Sequence, residues 1–187
     1  MTSDVIIAGF GGQGVLFAGQ LLAHAALDAG LETTWYPSYG PEMRGGTANC
    51  TVVISDEPIG SPIVEHPGAV IALNLPSLDR YEDLVRPGGL LIVNASLIDR
   101  TVTRDDLDVV EIPADDVAAE LGHPRLTNMV LVGALLERSG MLTQEQVRAT
   151  LQRVLPARHH PLLGANAAAL ARGAELAASA AAPVGSG

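Results

Sequence analysis

The sequence predicts a doubly wound α/β fold, in which a mostly parallel sheet carries helices on both faces. Three observations support this prediction. An apolar stretch from Val5 runs directly into four glycines between residues 9 and 14, and a helical pattern follows at once. Two later segments, 68–74 and 90–94, are almost entirely apolar, as strands covered on both faces are. The predicted order is one strand, a helix, three strands, a helix, two strands and then a run of helices, which indicates a Rossmann-like sheet wound on both sides.

The N-terminal third of the chain predicts one helix and three strands. The helix is expected over residues 15–29, where small and apolar side chains recur at helical spacing, and Gly30 is its expected C-cap. The second strand, over 32–36, stops at Pro37. The third strand, over 48–55, is rich in β-branched residues, which favour strands.

The remainder of the chain predicts three more strands and five helices. The strands are expected over 68–74, 90–94 and 109–113. The helices are one capped by Ser77, one over 115–121, one opening at Thr127 and Asn128 with Asn128 as its N-cap, one capped by Thr143, and an alanine-rich one over 164–178. We expect a single domain over residues 1–178 and a disordered tail over 179–187.

The glycine-rich turn after the first strand, residues 9–14, is the first candidate site, and we call it the glycine corner. Gly9, Gly11 and Gly14 satisfy the pattern G-x-G-x-x-G, and Gly12 and Gln13 lie within it. The backbone amides at the start of the following helix can hold a phosphate or a carboxylate. The same turn also serves tight strand-to-helix packing without a ligand, and the motif leaves both interpretations open.

The end of the second strand counts against a bound nicotinamide dinucleotide. In dinucleotide-binding folds this position carries an acidic residue that holds the ribose hydroxyls. Here the strand ends in Tyr36, Pro37 and Ser38, and Glu32 lies at its beginning. An independent NAD(P)- or nucleotide-binding protein therefore remains only the alternative interpretation.

The loop between the second and third strands is the second candidate site. Its candidate residues are Tyr39, Gly40, Arg44, Gly45 and Gly46. Flanking glycines cost conformational entropy on ordering, so they are unusual beside a charge that only faces solvent. A guanidinium in this position can receive a carboxylate or a phosphate through its planar fork. An ion pair within the chain, for example with Glu42, explains the arginine equally well.

Composition excludes several classes of function. The formal net charge is -10 and all 11 basic residues are arginine, which argues against nucleic-acid binding and removes lysine chemistry. The single cysteine, Cys50, cannot form an internal disulfide and is expected to be a packed, unreactive thiol. The five histidines lack metal-site spacing. With no apolar run of membrane-spanning length, we expect a soluble cytoplasmic protein that binds no membrane.

Two stretches together carry a resemblance to a known family. G-F-G-G-Q-G-V at 9–15 resembles the opening of the gamma subunit of 2-oxoacid:ferredoxin oxidoreductases, and Y-G-P-E-M-R-G-G-T-A-N-C-T-V-V-I-S at 39–55 is similar to that family's second signature. The segments 56–62 and 128–133 resemble the family as well. The amino-acid sequence of the loop resembles the 2-oxoglutarate type most and the indolepyruvate type less.

The resemblance implies a subunit rather than a free-standing enzyme. In the family, thiamine diphosphate and magnesium lie between the alpha and beta subunits, and iron–sulfur clusters lie on the beta or a delta subunit. The reaction converts a 2-oxoacid and coenzyme A to acyl-coenzyme A and carbon dioxide and passes two electrons to ferredoxin. The chain's lack of cluster cysteines and of a thiamine diphosphate signature agrees with this division.

The resemblance also implies which residues of this chain face coenzyme A or the partner subunits. They are Gly9, Gly11, Gly12, Gln13 and Gly14 of the corner, Tyr39, Gly40, Arg44, Gly45 and Gly46 of the loop, and Asn128. We expect no catalytic residue and no metal ligand on this chain. A purely structural subunit whose corner holds no ligand is the remaining possibility.

Overall fold

A computed structural model describes residues 1–38 and 47–180, which form a six-stranded sheet in the order β2-β3-β1-β4-β5-β6. The strands are β1 (Thr2–Phe10), β2 (Glu32–Ser38), β3 (Thr47–Ser55), β4 (Ala69–Ala72), β5 (Leu90–Asn94) and β6 (Asp108–Ile112). β1, β4, β5 and β6 pair in parallel, whereas β3 is antiparallel to both β1 and β2. The predicted α/β fold with a mostly parallel sheet is confirmed, with β3 as an antiparallel strand inside it.

Six helices and three short 3₁₀ segments accompany this sheet in the described residues. The helices are α1 (Val15–Asp28), α2 (Leu75–Tyr81), α3 (Ala114–Glu120), α4 (Thr127–Ser139), α5 (Gln144–Val154) and α6 (Leu163–Ser179). The 3₁₀ segments are Glu82–Leu84, Pro124–Leu126 and Ala157–Leu162. Residues 181–187 of the expected tail lie outside the described part of the chain.

Helix caps agree with the sequence in one case and differ in three. Thr143 caps α5 through a capping box with Gln146, as predicted. The C-cap of α1 is Ala29, and Gly30 follows it with φ +77°. Two N-cap predictions are wrong as well, because residues earlier in the chain begin the helices. Asn74 caps α2, so Ser77 lies inside the helix and donates its N–H to Asn74 Oδ1 at 2.9 Å. A 3₁₀ turn leads directly into α4, so Asn128 is its second residue rather than its N-cap.

The sheet separates two hydrophobic cores. The larger core packs α1, α3, α4, α5 and α6 against one face of the sheet. The smaller core lies on the other face, where Leu78 and Tyr81 of α2 join Ile98 and Leu107 against β1, β4 and β5. The helix that follows β1 covers one face of the sheet, and the helix that follows β4 covers the other face. The candidate site lies where these two connections diverge.

A buried carboxylate fastens the smaller core. Glu82 is only 3% exposed, and its Oε1 accepts hydrogen bonds from the Thr103 hydroxyl at 2.8 Å and the Thr103 N–H at 2.6 Å. The Arg100 guanidinium donates to Oε2 at 2.7 Å. Burial by itself raises the pKa of Glu82, but these hydrogen bonds and one from the Arg104 backbone outweigh it and lower the pKa below its usual value.

We expect this carboxylate to make the fold sensitive to acid. Because the pKa of Glu82 is lowered by folding, its stabilisation is complete above the usual glutamate pKa of 4.5 and is lost as the pH falls below it. Glu82→Gln should lower the free energy of unfolding by about 2 kcal/mol at pH 7 and should make the further loss of stability in acid smaller. Urea unfolding between pH 7 and pH 3 measures both effects. Glu175→Gln, at the exposed ion pair with Arg172 on α6, is the control. An acid profile of Glu82→Gln identical to that of wild type contradicts the assignment.

Candidate functional site

The candidate site lies at the carboxyl ends of β1 and β4, which are parallel neighbours in the middle of the sheet. From β1 the chain passes through α1 to β2 at one edge of the sheet, and from β4 it passes through α2 to β5 on the other side. In open α/β sheets such a topological switch point leaves a crevice in which ligands bind. The glycine corner occupies this position.

Three glycines of the corner are required by its geometry. Gly12 and Gly14 have φ values of +92° and +75°, in the left-handed region that favours glycine. Gly9 is required for a different reason, because a Cβ there would lie 2.9 Å from the Cβ of Leu73 and 3.0 Å from Cγ2 of Val15. The corner thus combines a backbone bend with close packing of β1 against its surroundings.

Gln13 closes the corner from within. Its Oε1 accepts a hydrogen bond from the Phe10 N–H at 2.6 Å, and Asn74 Nδ2 approaches the same oxygen at 3.5 Å. The backbone N–H of Gln13 in turn donates to the Phe10 carbonyl at 3.2 Å. The side-chain oxygen therefore shapes the turn, and the exposed residues of the corner are Phe10, Gly11 and Gly12.

Asn128 holds the corner from the neighbouring helix α4. Its Nδ2 donates to the Gly14 carbonyl at 3.1 Å, across 114 residues of sequence. A Cβ on Gly14 would overlap with Nδ2 and lie 2.9 Å from Cγ of Asn128. The structure therefore brings together two residues that the sequence suggested separately, and their contact requires glycine at position 14.

The start of α1 is suited to an anion. Among the described residues no side chain caps this helix, and its first turn contains no acidic residue. Uncapped N–H groups at a helix start carry partial positive charge and can bind a phosphate or a carboxylate. The corner therefore presents exposed glycines next to an anion-binding helix end.

A buried polar network lies at the same carboxyl ends of the parallel strands. It was not predicted from the sequence. Asn94, fully buried at the end of β5, donates from Nδ2 to the Leu73 carbonyl at 3.1 Å and to Asp115 Oδ2 at 2.6 Å. The Thr127 hydroxyl donates to Asp115 Oδ1 at 2.8 Å. The network ties β5 to the start of α4, next to Asn128. The available signal was that two apolar strand segments both end in asparagine, at positions 74 and 94.

The second candidate loop connects β2 to β3, and only the strand residues that flank it are described. Tyr39, Gly40, Arg44, Gly45 and Gly46 lie outside the described residues. The loop leaves β2 after Ser38 and re-enters the sheet at Thr47. Thr47 pairs with Phe10, the last residue of β1, and Ser38 pairs with Asn49. The two residues that flank the loop, Ser38 and Thr47, therefore lie at the same ends of the strands as the glycine corner.

Comparison with known protein families identifies the chain. The family described as pyruvate ferredoxin/flavodoxin oxidoreductase matches residues 4–176. The chain belongs to this family. The predicted resemblance to 2-oxoacid:ferredoxin oxidoreductases is thereby confirmed.

Family members occur both as short chains and as parts of longer ones. The ketoisovalerate oxidoreductase subunit VorA of Methanothermobacter marburgensis is 46% identical over 132 residues, which are 71% of this chain but only 27% of VorA. The 2-oxoglutarate synthase subunit KorC of the same organism is 37% identical over 163 residues, covering 83% of this chain and 88% of KorC. This chain thus spans about a quarter of VorA and most of KorC.

Two solved structures share the fold. The gamma subunit of a keto/oxoacid ferredoxin oxidoreductase from Geobacter sulfurreducens is 26% identical with a TM-score of 0.83, covering 95% of this chain and 99% of that one. The second is a 2-oxoglutarate:ferredoxin oxidoreductase from Magnetococcus marinus, solved with 2-oxoglutarate, coenzyme A and succinyl-CoA. It has a TM-score of 0.88 at 23% identity, and the match covers 97% of this chain and 32% of that one. Our chain therefore has the architecture of a gamma subunit.

The sheet order of this family member disfavours the alternative of an independent dinucleotide-binding protein. Antiparallel β3 separates β2 from β1, so the strand beside β1 does not end at the glycine corner. Glu32 pairs with Ser55 at the other ends of these strands, away from the glycine corner. No described carboxylate thus occupies the position from which a ribose is held in dinucleotide-binding folds.

Three further features of the described residues concern metal-ligating clusters, long apolar helices and the single cysteine. The described residues contain no cluster of three or more His, Cys, Asp or Glu side chains able to hold a metal ion. No helix in the described part of the chain is long and apolar enough to span a membrane. Cys50 is buried in the larger core, where its Sγ approaches the Val15 carbonyl at 3.5 Å.

We expect Cys50 to be chemically silent in the folded chain. Burial raises the pKa of its thiol to about 12, so the reactive thiolate is scarcely populated at pH 8. A thiol reagent such as DTNB should label the folded chain at a negligible rate and label one thiol per chain in urea. Rapid labelling without denaturant, at a rate near that of free cysteine, contradicts this burial.

Proposed function

We propose that this chain is the gamma subunit, or the equivalent domain, of a thiamine-diphosphate-dependent 2-oxoacid:ferredoxin oxidoreductase. The complex oxidatively decarboxylates a 2-oxoacid in the presence of coenzyme A. The products are an acyl-coenzyme A and carbon dioxide, and two electrons pass to ferredoxin. This chain packs over the catalytic subunits and helps bind coenzyme A, and the complex works in the cytoplasm.

The observation that carries the proposal is the glycine corner with its uncapped helix end. Coenzyme A is a polyanion with a pyrophosphate in its middle, and the corner offers exposed glycines next to the positive end of α1. The hydrogen bond from Asn128 to the Gly14 carbonyl helps hold that geometry. The Magnetococcus marinus enzyme with coenzyme A bound supports the proposal because its chain contains this fold.

The difficult chemistry belongs to partner subunits in this proposal. Thiamine diphosphate and magnesium are held by alpha and beta subunits, and iron–sulfur clusters by the beta or a delta subunit. The chain's donor set supports this division. Its single cysteine is buried with a raised thiol pKa, and the described residues lack a cluster of metal-ligating side chains. Partner subunits therefore supply the redox chemistry, and this chain supplies binding and orientation.

The substrate is proposed to be 2-oxoglutarate, on the wording of the loop over 39–55 and the similarity to KorC. Ketoisovalerate is the second candidate, because VorA has the higher identity over its shorter match. Substrate choice depends on the catalytic subunits rather than on this chain.

The test is the activity of the complex as isolated. The chain should copurify with its alpha and beta partners, and the complex should be assayed with 2-oxoglutarate, ketoisovalerate and pyruvate under identical conditions. Coenzyme-A-dependent reduction of ferredoxin with 2-oxoglutarate as the best substrate is expected. Failure to copurify, or saturable NADH binding by the chain in calorimetric titration, contradicts the proposal and favours the alternative.

Arg44 in the second candidate loop is proposed to contact coenzyme A or a partner subunit. Arg44→Ala should raise the KM for coenzyme A about tenfold or loosen assembly, since it removes a charge-assisted hydrogen bond. The thermal unfolding of the chain should stay nearly unchanged. Steady-state kinetics and complex mass should be measured together, and wild-type values of both contradict the assigned role.

A further inference from the structure

The two faces of the sheet are covered very unequally. Five helices pack on the face of the larger core, whereas α2, a helix of only 7 residues, is the one α-helix on the face of the smaller core in the described part of the chain. α2 packs against β1 and β4. Irregular chain over 95–107 adds Ile98 and Leu107 to the smaller core. We call this side of the molecule the α2 face.

Two aromatic side chains of the strands are exposed on the α2 face. Tyr36 on β2 and Ile6 on β1 both pair with Thr51 of β3, so all three point to the same side of the sheet. Ile6 belongs to the smaller core, and Phe10, four residues further along β1, has the same orientation. Tyr36 is 53% exposed and Phe10 is 40% exposed. Aromatic residues make up only 3% of the chain, and aromatic side chains are enriched at protein interfaces.

Two exposed leucines lie on the same face beside α2. Leu84 ends the 3₁₀ segment that follows α2 and precedes Val85 of the smaller core. Leu97 is 49% exposed and precedes Ile98 of the same core. From β2 to β5 the face spans four strand spacings, or about 19 Å, and a strand such as β1 is about 30 Å long. A surface of this size is comparable with the roughly 800 Å² per partner that a standard protein interface buries.

The uncompensated charge around these apolar side chains is acidic. Three exposed carboxylates on this face have no described cation within ion-pair distance, namely those of Asp83, Asp99 and Asp105. The neighbouring Arg86, Arg100 and Arg104, in contrast, each pair with a carboxylate of this chain. Arg80, which lies over the Tyr81 ring at 5.3 Å, offsets only one of the three free charges. A surface that complements the α2 face is therefore basic.

We propose that the α2 face binds a different protein chain, whose contact surface has an apolar centre and a basic rim. Resting on the proposed function, this partner is a catalytic subunit of the same complex. The exposed aromatic and leucine side chains supply the apolar contact, and the free carboxylates supply charge complementarity. A second copy of this chain is disfavoured as the occupant, because it brings the same acidic face and a formal net charge of -10.

Binding of the full chain to the catalytic subunits tests this proposal through matched arginine substitutions, with surface plasmon resonance as the measurement. Leu97→Arg and Tyr36→Arg each place a charge in the apolar contact and should raise the Kd about tenfold or more. Leu27→Arg makes the same change at an exposed leucine of α1, on the other side of the sheet, and should leave the Kd within about twofold of wild type. Thermal unfolding of the free variants should match wild type, which separates a lost contact from lost folding.

A second set of variants tests the charge complementarity at exposed positions. Asp99→Arg combined with Asp105→Arg should raise the Kd about tenfold in low salt and weaken the dependence of the Kd on salt. Glu120→Arg combined with Glu137→Arg, at exposed positions on α3 and α4, makes the same change in net charge and should have little effect.

The possible outcomes separate this inference from the proposed function. Equal Kd values for the α2-face variants and their controls overturn the inference, and so does a dimer of the free chain that Leu97→Arg dissociates. In either case, a wild-type chain that still binds the catalytic subunits leaves the proposed function intact. Absence of binding by the wild-type chain refutes the proposed function itself.

Discussion

Gly173→Ala is expected to destabilise the folded chain by about 3 kcal/mol, because α4 and α6 pack backbone against backbone at this residue. A Cβ on Gly173 would overlap with the carbonyl oxygen of Val130 and lie 2.7 Å from its carbonyl carbon. Gly133 on α4 is in the reciprocal position, where a Cβ would overlap with the carbonyl of Leu170. Neither backbone can move without separating the two helices, so the overlap is relieved only by disrupting the larger core.

Urea unfolding of the purified chain measures this effect, and α6 offers a matched control. Gly164 lies in the first turn of the same helix, and a Cβ there would meet nothing within 4 Å. Gly164→Ala should therefore be neutral or stabilise the chain by up to about 1 kcal/mol through helix propensity. Equal stabilities for Gly173→Ala and Gly164→Ala contradict the close packing of α4 and α6.

Gly14→Ala is expected to raise the KM for coenzyme A in the assembled complex tenfold or more. The added Cβ displaces the Asn128 amide that fixes the Gly14 carbonyl, and the left-handed φ of +75° strains alanine. Both effects move the start of α1, which the proposed function assigns to the pyrophosphate. The KM for the 2-oxoacid should change little, because that substrate binds on the partner subunits.

Gly30→Ala separates backbone strain from the loss of the site. Gly30 has a φ of +77°, and a Cβ added there would meet no atom within 4 Å. Alanine at this position therefore costs a similar strain of about 1–2 kcal/mol, far from the corner. Gly30→Ala should lower stability and leave the KM for coenzyme A at its wild-type value. A shared rise in KM would show that general destabilisation, rather than the corner, controls coenzyme A use.

The strands and most helices could be predicted because each is a local pattern. The buried strands are apolar runs, and the Thr143 capping box is confined to four residues. The direction of β3 could also have been predicted. The eight residues between Ser38 and Thr47 are too few for a parallel crossover, which needs a dozen or more. The missed caps lie only two or three residues from those predicted. Asn74 takes the place of Ser77 at the start of α2, and at α4 a 3₁₀ turn ending at Leu126 leads into the helix without a polar cap.

The candidate site could be predicted only in part. The glycine corner follows from its motif and its place after a strand, but the role of Gln13 inside the turn depends on the path of the chain around Phe10. The contact between Asn128 and Gly14 joins residues far apart in sequence, and local patterns cannot predict it. The same applies to the bond between Asn94 and Asp115, although the asparagine after an apolar strand was a usable signal.

The most direct measurement of the central claim is an omission experiment with the catalytic partner subunits. Coenzyme-A-dependent reduction of ferredoxin by 2-oxoglutarate should be assayed with those subunits alone, with this chain added, and with the Gly14→Ala chain added. We predict that this chain restores saturable coenzyme A dependence and that Gly14→Ala restores it only at a KM tenfold higher or more. Equal use of coenzyme A by the catalytic subunits without this chain, or oxidation of the substrate by the chain alone, contradicts the proposed role.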